Sequence, residues 1–291
     1  MIEKRFNDMV VDEFSTVKRV RRKNNLFSSK IWFFVCFFMI IVGTIGTVGI
    51  VSAERERIAM ENSFNGDTDE EKFANFRKVT VGKLKNGVLF RSASPVDNTH
   101  NRAAVADRLA SDAGVQYVVN LSDNEDDLTK NISKDDFDSA NYLSLYEAGK
   151  VVLLHMDMKF KEQKFGEKIV RGLVAMVDNE GPYLVHCVEG KDRTGYAMMV
   201  LEALLGASYE EIVDDYMETY DNYYGINQES DPERYASIKE KNIDSMLHYI
   251  VGDESADLVA ISDYAGYAKD YLKSMGMSEE SIEKLVERLS G

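Results

Sequence analysis

Residues 183–205 read YLVHCVEGKDRTGYAMMVLEALL. The stretch opens on a short apolar run, Tyr183 to Cys187, of strand-forming character. It closes on residues 196–205, which are apolar nearly all round, the pattern of a buried helix. Between them, HCVEGKDRTG (186–195) places Cys187 and Arg193 six positions apart, bracketing a tight loop. In that setting the amide N–H groups of Val188, Glu189, Gly190, Lys191, Asp192 and Arg193 are expected to point inward as an anion nest. The helix starting near Arg193 adds its positive dipole end. Arg193 offers a planar fork for two phosphate oxygens. The same field favours a thiolate at Cys187. The Thr194 hydroxyl is placed to donate to that sulfur, and Gly190 and Gly195 let the backbone approach an anion closely.

Such a loop puts a nucleophile in front of a phosphate. The expected reaction has two steps: Cys187 attacks phosphorus to form a thiophosphate, and water then hydrolyses it. No metal or cofactor is called for, because Arg193 and the amides stabilise the charge. A phosphate-binding module without turnover is the alternative from another class, but a nucleophile, an arginine and a candidate acid are all present. Sulfur transfer or arsenate reduction shares the same loop logic. The body outside the apolar segment described below has no second cysteine to resolve an intermediate.

Outward from the loop, the apolar runs 87–91, 115–121, 151–156 and 183–187 read as strands buried on both faces. Helical patterns at 101–113 and 165–177 separate them. Strands alternating with helices predict an α/β domain with a largely parallel central sheet flanked by helices. Gly206 ends the helix after the loop. Ser208 with Glu211 forms a capping box for a helix over 209–220. Residues 226–291 read as a helical C-terminal extension of three or four helices, the last opened by Ser278.

The chain has 291 residues, 35 basic and 50 acidic, for a net charge of −15. With 44% hydrophobic residues it has enough apolar side chains for a core, which excludes wholesale disorder. Two cysteines exclude a disulfide scaffold. The acidic balance argues against nucleic acid as partner. The charge is unevenly spread. Residues 1–30 hold eight basic and four acidic side chains, and 31–53 hold none, which leaves −15 − 4 = −19 for 54–291. Residues 31–53 (IWFFVCFFMIIVGTIGTVGIVSA) are long enough to span a bilayer as a helix, with Trp32 at an interface. The basic cluster before them places the N-terminal head in the cytoplasm and the rest outside. The alternative is secretion after cleavage near Ala53. This predicts a cytoplasmic head (1–30), a transmembrane helix (31–53), a stalk or packed arm (54–78), a catalytic core (79–225) and the helical extension (226–291).

HCVEGKDRTG resembles the signature of the Cys-x5-Arg protein tyrosine phosphatase superfamily, in particular its bacterial tyrosine and triple-specificity type. Phe90-Arg-Ser, Val118-Val-Asn-Leu121 and the helix opening at Ser208 are similar to the same family. Ser122 departs from it, since relatives often carry arginine there. The resemblance implies a tyrosine-phosphatase-like fold and a phosphotyrosine protein, inositol phosphate or phosphoinositide as substrate. Asp192, inside the loop, is the first candidate for the general acid. Asp157, at the end of a strand 30 residues before Cys187, is the rival. His186 is expected to order the loop by hydrogen bonds. Lys191 is expected as a charge at the pocket mouth, of the kind that accompanies inositol-phosphate acceptance. Arg91 is either a further cation near the mouth or part of a structural ion pair. Tyr216, Tyr220, Tyr223 and Tyr224 either wall a deep pocket or pack in the core, with core packing the commoner fate of such a stripe.

Overall fold

The strand that delivers Cys187 runs down the middle of a five-stranded sheet. The computed structural model describes residues 64–291. In chain order its elements are α1 (Asp69–Ala74), β1 (Arg77–Lys78), β2 (Leu89–Ser92), α2 (Ala103–Asp112), β3 (Tyr117–Asn120), α3 (Glu125–Ile132), α4 (Ala140–Glu147), β4 (Val151–Leu153), α5 (Gln163–Asp178), β5 (Tyr183–His186), α6 (Asp192–Leu204) and α7 (Tyr209–Tyr224), followed by α8 (Pro232–Ile238), α9 (Ser245–Val251), α10 (Tyr264–Ser274) and α11 (Glu279–Leu289). The strand order is β1-β2-β5-β3-β4. Only β1 is antiparallel. The predicted α/β class and mostly parallel sheet are therefore what the chain adopts.

The two-residue side-chain period of a strand divides the core in two. Leu89, Tyr117, Val119, Tyr183 and Val185 pack with α5, α6 and the C-terminal helices. Phe90, Val118, Leu153 and Leu184 pack on the opposite face with Phe76, Leu109, Leu128 and Tyr142. Both faces are covered, which is why these strands lack a polar alternation. The capping box Ser208/Glu211 forms as expected and opens α7. Helix α6 is buried from Thr194 to Leu204.

Three features refine the expected organisation. Of the two readings of 54–78, stalk or packed arm, the described part, 64–78, is the packed arm: Ala74, Phe76 and Arg77 are buried and β1 joins the sheet. The polar composition of this segment hides the few apolar side chains it inserts. Residues 122–150, which carry no clear period, fold into α3 and α4. The C-terminal helices are integral to the domain. Tyr271 of α10 meets the Tyr196 ring of α6 at 6.2 Å, and Lys85 N–H donates to the Leu289 carbonyl at 2.7 Å. The anticipated transmembrane segment, 31–53, lies outside the described residues; among those described, no helix is long and apolar enough to cross a membrane.

His186 ends β5, fully buried, with its ring edge-on to Tyr142 at 5.9 Å. Burial pushes its imidazole down to about 4 from 6.5, so it is neutral in the fold. An unfolded chain takes up a proton at this residue below 6.5 and the folded chain does not. Stability therefore falls as pH drops from 6.5 towards 4, by roughly 3 kcal/mol from this group. We expect the fall in Tm over that interval to be markedly shallower in His186→Asn than in the parent chain. Parallel Tm–pH curves would contradict a neutral, buried imidazole.

Candidate active site

The strands β2, β5, β3 and β4 run parallel, so their carboxyl ends open on one edge of the sheet, the position where α/β proteins bind ligands. Residues 187–191 leave β5 there and enter α6. Each of their carbonyls is tied outward. Cys187 O lies 3.2 Å from His186 Nδ1, and Val188 O accepts from Ser94 N at 3.0 Å. Glu189 O accepts from Tyr223 Oη at 2.7 Å. Gly190 O accepts from Arg91 Nη2 at 2.8 Å and Asn75 Nδ2 at 3.1 Å. Lys191 O accepts from Gly195 N at 2.6 Å. With the carbonyls turned out, the amides face the loop's interior, and among the described residues no protein acceptor takes the N–H of Val188 through Arg193. Gly190 has φ +66°, and a Cβ there would stand 2.2 Å from Ser92 O, so only glycine fits.

Cys187 is buried and free at the start of this cradle. Arg193 sits in the first turn of α6 with Nη1 donating to Met156 O at 3.1 Å. Its Nε and Nη2 have no protein acceptor among the described residues, which leaves an edge of the guanidinium for a bidentate anion. Thr194 Oγ1 is buried and likewise without a partner.

The two acid candidates stand in different surroundings. Burial, set against the Lys191 charge, raises the Asp192 carboxyl above the ordinary 3.8. Tyr216 Oη lies 3.5 Å from its Oδ1. Asp157 is exposed, and its Oδ1 accepts from Lys159 N at 3.2 Å; that bond and the Lys159 charge hold its carboxyl below the ordinary value. Asp157 is thus kept ionised and turned to Lys159.

Lys191 is not a free charge at the mouth. It lies 3.1 Å from Glu189 and 5.6 Å from the ring centres of Tyr220 and Tyr224. Burial opposes its charge, but Asp192 and Glu189 outweigh burial and raise its pKa. Arg91 is no mouth residue. It is fully buried behind the loop, paired with Asp215, with Nη2 on the Gly190 carbonyl. The tyrosines divide: Tyr216 is core, Tyr223 braces Glu189, and Tyr224 is exposed beside Lys191. Ser122 folds back on Asn120, with its N–H 2.9 Å from Oδ1.

Sequence reasoning missed the brace. Asn75 and Arg77 lie in what reads as a stalk. Asp215 and Thr219 lie one helical turn apart on α7, and Thr219 Oγ1 accepts from Asn75 Nδ2 at 3.1 Å. It also missed Asp123, a buried carboxyl that accepts from Asn120 Nδ2 at 2.8 Å, is raised by burial and feels Arg193. Its position two residues past the Asn-Leu of β3 was the available signal.

The model of the tyrosine phosphatase family matches residues 71–291. A tyrosine-protein phosphatase of Nostoc commune is 33% identical over 152 residues, 50% of this chain and 49% of that protein. The triple specificity protein phosphatase PtpB of Mycobacterium tuberculosis is 22% identical over 139 residues, 44% of this chain and 50% of that protein. The chain spans about half the length of the curated relatives it matches. The Yvh1 phosphatase domain from Chaetomium thermophilum aligns with 72% of this chain and 94% of its own at 14% identity and a TM-score of 0.28, too loosely to inform the site. Since the family model takes in the whole sheet, the cradle and all of the helices from α2 onward, the chain belongs to the tyrosine phosphatase family.

Proposed function

We propose that this chain is a cysteine-dependent phosphomonoesterase. The observation that carries the reading is the ring of inward amides, closed by the Arg193 guanidinium, around a single buried cysteine. Phosphate oxygens bind the amides and the free edge of Arg193. The Cys187 sulfur attacks phosphorus as the ester P–O bond breaks, and Asp192 gives its proton to the departing oxygen. Water then attacks phosphorus, the P–S bond breaks, and Asp192 recovers a proton from that water. Thr194, with no other partner for its hydroxyl, donates to the departing sulfur.

Asp192 is the acid because its carboxyl is held above the ordinary range and opens the helix that carries Arg193, whereas Asp157 is held below it. The substrate class is a phosphotyrosine protein, an inositol phosphate or a phosphoinositide; Lys191, 5.6 Å from the ring centres of Tyr220 and Tyr224, offers an aromatic and cationic rim to each of them. On the sequence alone we further propose that residues 31–53 anchor the chain, with the domain outside the cytoplasm.

Cys187→Ser should abolish phosphate release from p-nitrophenyl phosphate while inorganic phosphate still binds. Equal turnover by the two proteins would leave only a binding module. Arg193→Lys should lower kcat/KM by roughly 10²-fold or more, because lysine has no bidentate edge; a near-normal rate would remove Arg193 from its role. Asp192→Asn should slow alkyl phosphates by roughly 10²-fold and p-nitrophenyl phosphate far less, since an alkoxide leaving group needs the proton. With alkyl phosphates the parent should lose activity as pH rises through the raised Asp192 pKa, above 3.8, and that limb should vanish in the variant. A limb that persists in Asp192→Asn assigns the acid elsewhere.

A further inference from the structure

One peptide of the cradle is held by a single side chain. The Glu189 carbonyl and the Gly190 N–H belong to the same planar unit, so whatever holds the first outward aims the second inward. Gly190 O has two donors, Arg91 and Asn75, and Val188 O has a backbone donor, Ser94 N. Among the described residues Glu189 O has Tyr223 Oη alone, at 2.7 Å. The next residue is glycine, which populates both signs of φ. This is therefore the peptide of the loop that turns over at least cost. Turned over, it would aim a carbonyl oxygen at the anion in place of an N–H.

Tyr223 has a partner of its own. The Arg102 guanidinium carbon lies 4.0 Å from the centre of the Tyr223 ring and 5.6 Å from that of Phe73. Arg102 Nε and Nη1 are buried and make no hydrogen bond, and no carboxylate pairs with them among the described residues. Arg102 also stands at the N-cap of α2, where its side chain makes no capping bond. A cation there opposes the helix dipole, and Ser, Thr, Asp or Asn would serve the helix better. Neither ion pairing nor helix capping accounts for the residue; its contacts are ring faces. A planar, weakly hydrated guanidinium lies flat on such a face, whereas a compact, strongly hydrated ammonium keeps less of the contact. Burial raises the Tyr223 phenol above its usual 10, and the Arg102 charge opposes that rise. The hydroxyl stays protonated, and the cation beside the ring makes it the stronger donor.

Resting on the phosphatase reading above, we propose that Arg102 is a positioning residue for that reaction: stacked on Tyr223, it keeps the hydroxyl on the Glu189 carbonyl and so keeps the Gly190 N–H turned to the phosphate. It acts through Tyr223 and does not touch the reacting atoms.

The test is a double-mutant cycle in the 291-residue chain. Tyr223→Phe keeps the ring and removes the donor; Arg102→Met removes the guanidinium. Each should lower kcat/KM for p-nitrophenyl phosphate about tenfold, and the double variant should fall no further. Losses that multiply would mean that Arg102 acts apart from Tyr223, and an unchanged rate in Arg102→Met that it does not act at all; either overturns the proposal. Added ethylguanidinium should restore rate to Arg102→Ala and none to Tyr223→Phe. Equal rescue of Arg102→Ala by ethylammonium would make the stack irrelevant and overturn it too. Arg108→Met removes another cation of α2, one paired with Glu70 and Asp112, and should match the parent; the same loss there would reduce the effect to net charge. The peptide itself is read by nuclear magnetic resonance after glycine-selective isotope labelling, which does not depend on turnover. Inorganic phosphate should move the Gly190 N–H signal downfield in the parent and not in Arg102→Met or Tyr223→Phe. A full response in Arg102→Met sinks the positioning role even if the chain is an active phosphatase. Absence of turnover on every ester, with the Gly190 response lost in both variants, sinks the enzyme and keeps the role of Arg102 in anion binding.

Discussion

Five consecutive carbonyls, Cys187 to Lys191, are turned away from the space they enclose, and the site depends on that orientation. Peptide geometry sends an N–H roughly opposite its C=O, so fixing the carbonyls outward fixes the amides inward. The partners come from far apart: His186 on β5, Ser94 after β2, Tyr223 on α7, Arg91 on β2, Asn75 after α1, and Gly195 within α6. Each hydrogen bond contributes on the order of 1 kcal/mol net, but an outward carbonyl stripped of its donor and kept from water costs about 1–3 kcal/mol. The loop is therefore held by the whole fold.

Behind the loop lies a buried charge network. Arg77 Nε donates to Asp215 at 3.0 Å and Nη2 to its carbonyl at 2.6 Å, while Arg91 pairs with the same carboxylate. Burial opposes ionisation of Asp215, but Arg77 and Arg91 overcome it and hold its pKa down. The Glu202 carboxyl, fully buried and next to that anion, is pushed well above its ordinary value by burial and by the Asp215 charge. Desolvating such groups roughly offsets their attraction, so a network of this kind is weak support for stability. What it secures is direction: with Nη1 held by Asp215, Arg91 turns Nη2 to the Gly190 carbonyl.

The electrostatics of the site are local. A strongly acidic body repels a phosphorylated ligand at long range, yet that field decays over roughly 8 Å in physiological salt. Within that distance the amides, the helix end and Arg193 act together beside the 155–157 turn. The carboxylates nearby are not equivalent. Asp157 is solvated and ionised, whereas Asp192 and Asp123 are raised by burial, and only Asp192 lies on the loop.

The sequence by itself determined the strand, loop and helix around Cys187, because a short apolar strand, a glycine-bearing turn and a nearly all-apolar helix have local signatures. It also determined the parallel α/β class, through runs too continuously apolar for a half-exposed sheet, and the start of α7, through the box of Ser208 and Glu211. Only the tertiary structure decided which residues hold the loop. Asn75 and Arg77 read as part of an acidic arm, and Asp215 and Thr219 fall in the helix predicted over 209–220 with no role assigned to them. Their roles arise from contacts across 115 to 144 positions of chain, which no local pattern encodes. Arg91 shows the division most plainly. Its identity is fixed by its place at a strand end, but whether it faces ligand or brace was settled by a carboxylate 124 residues away.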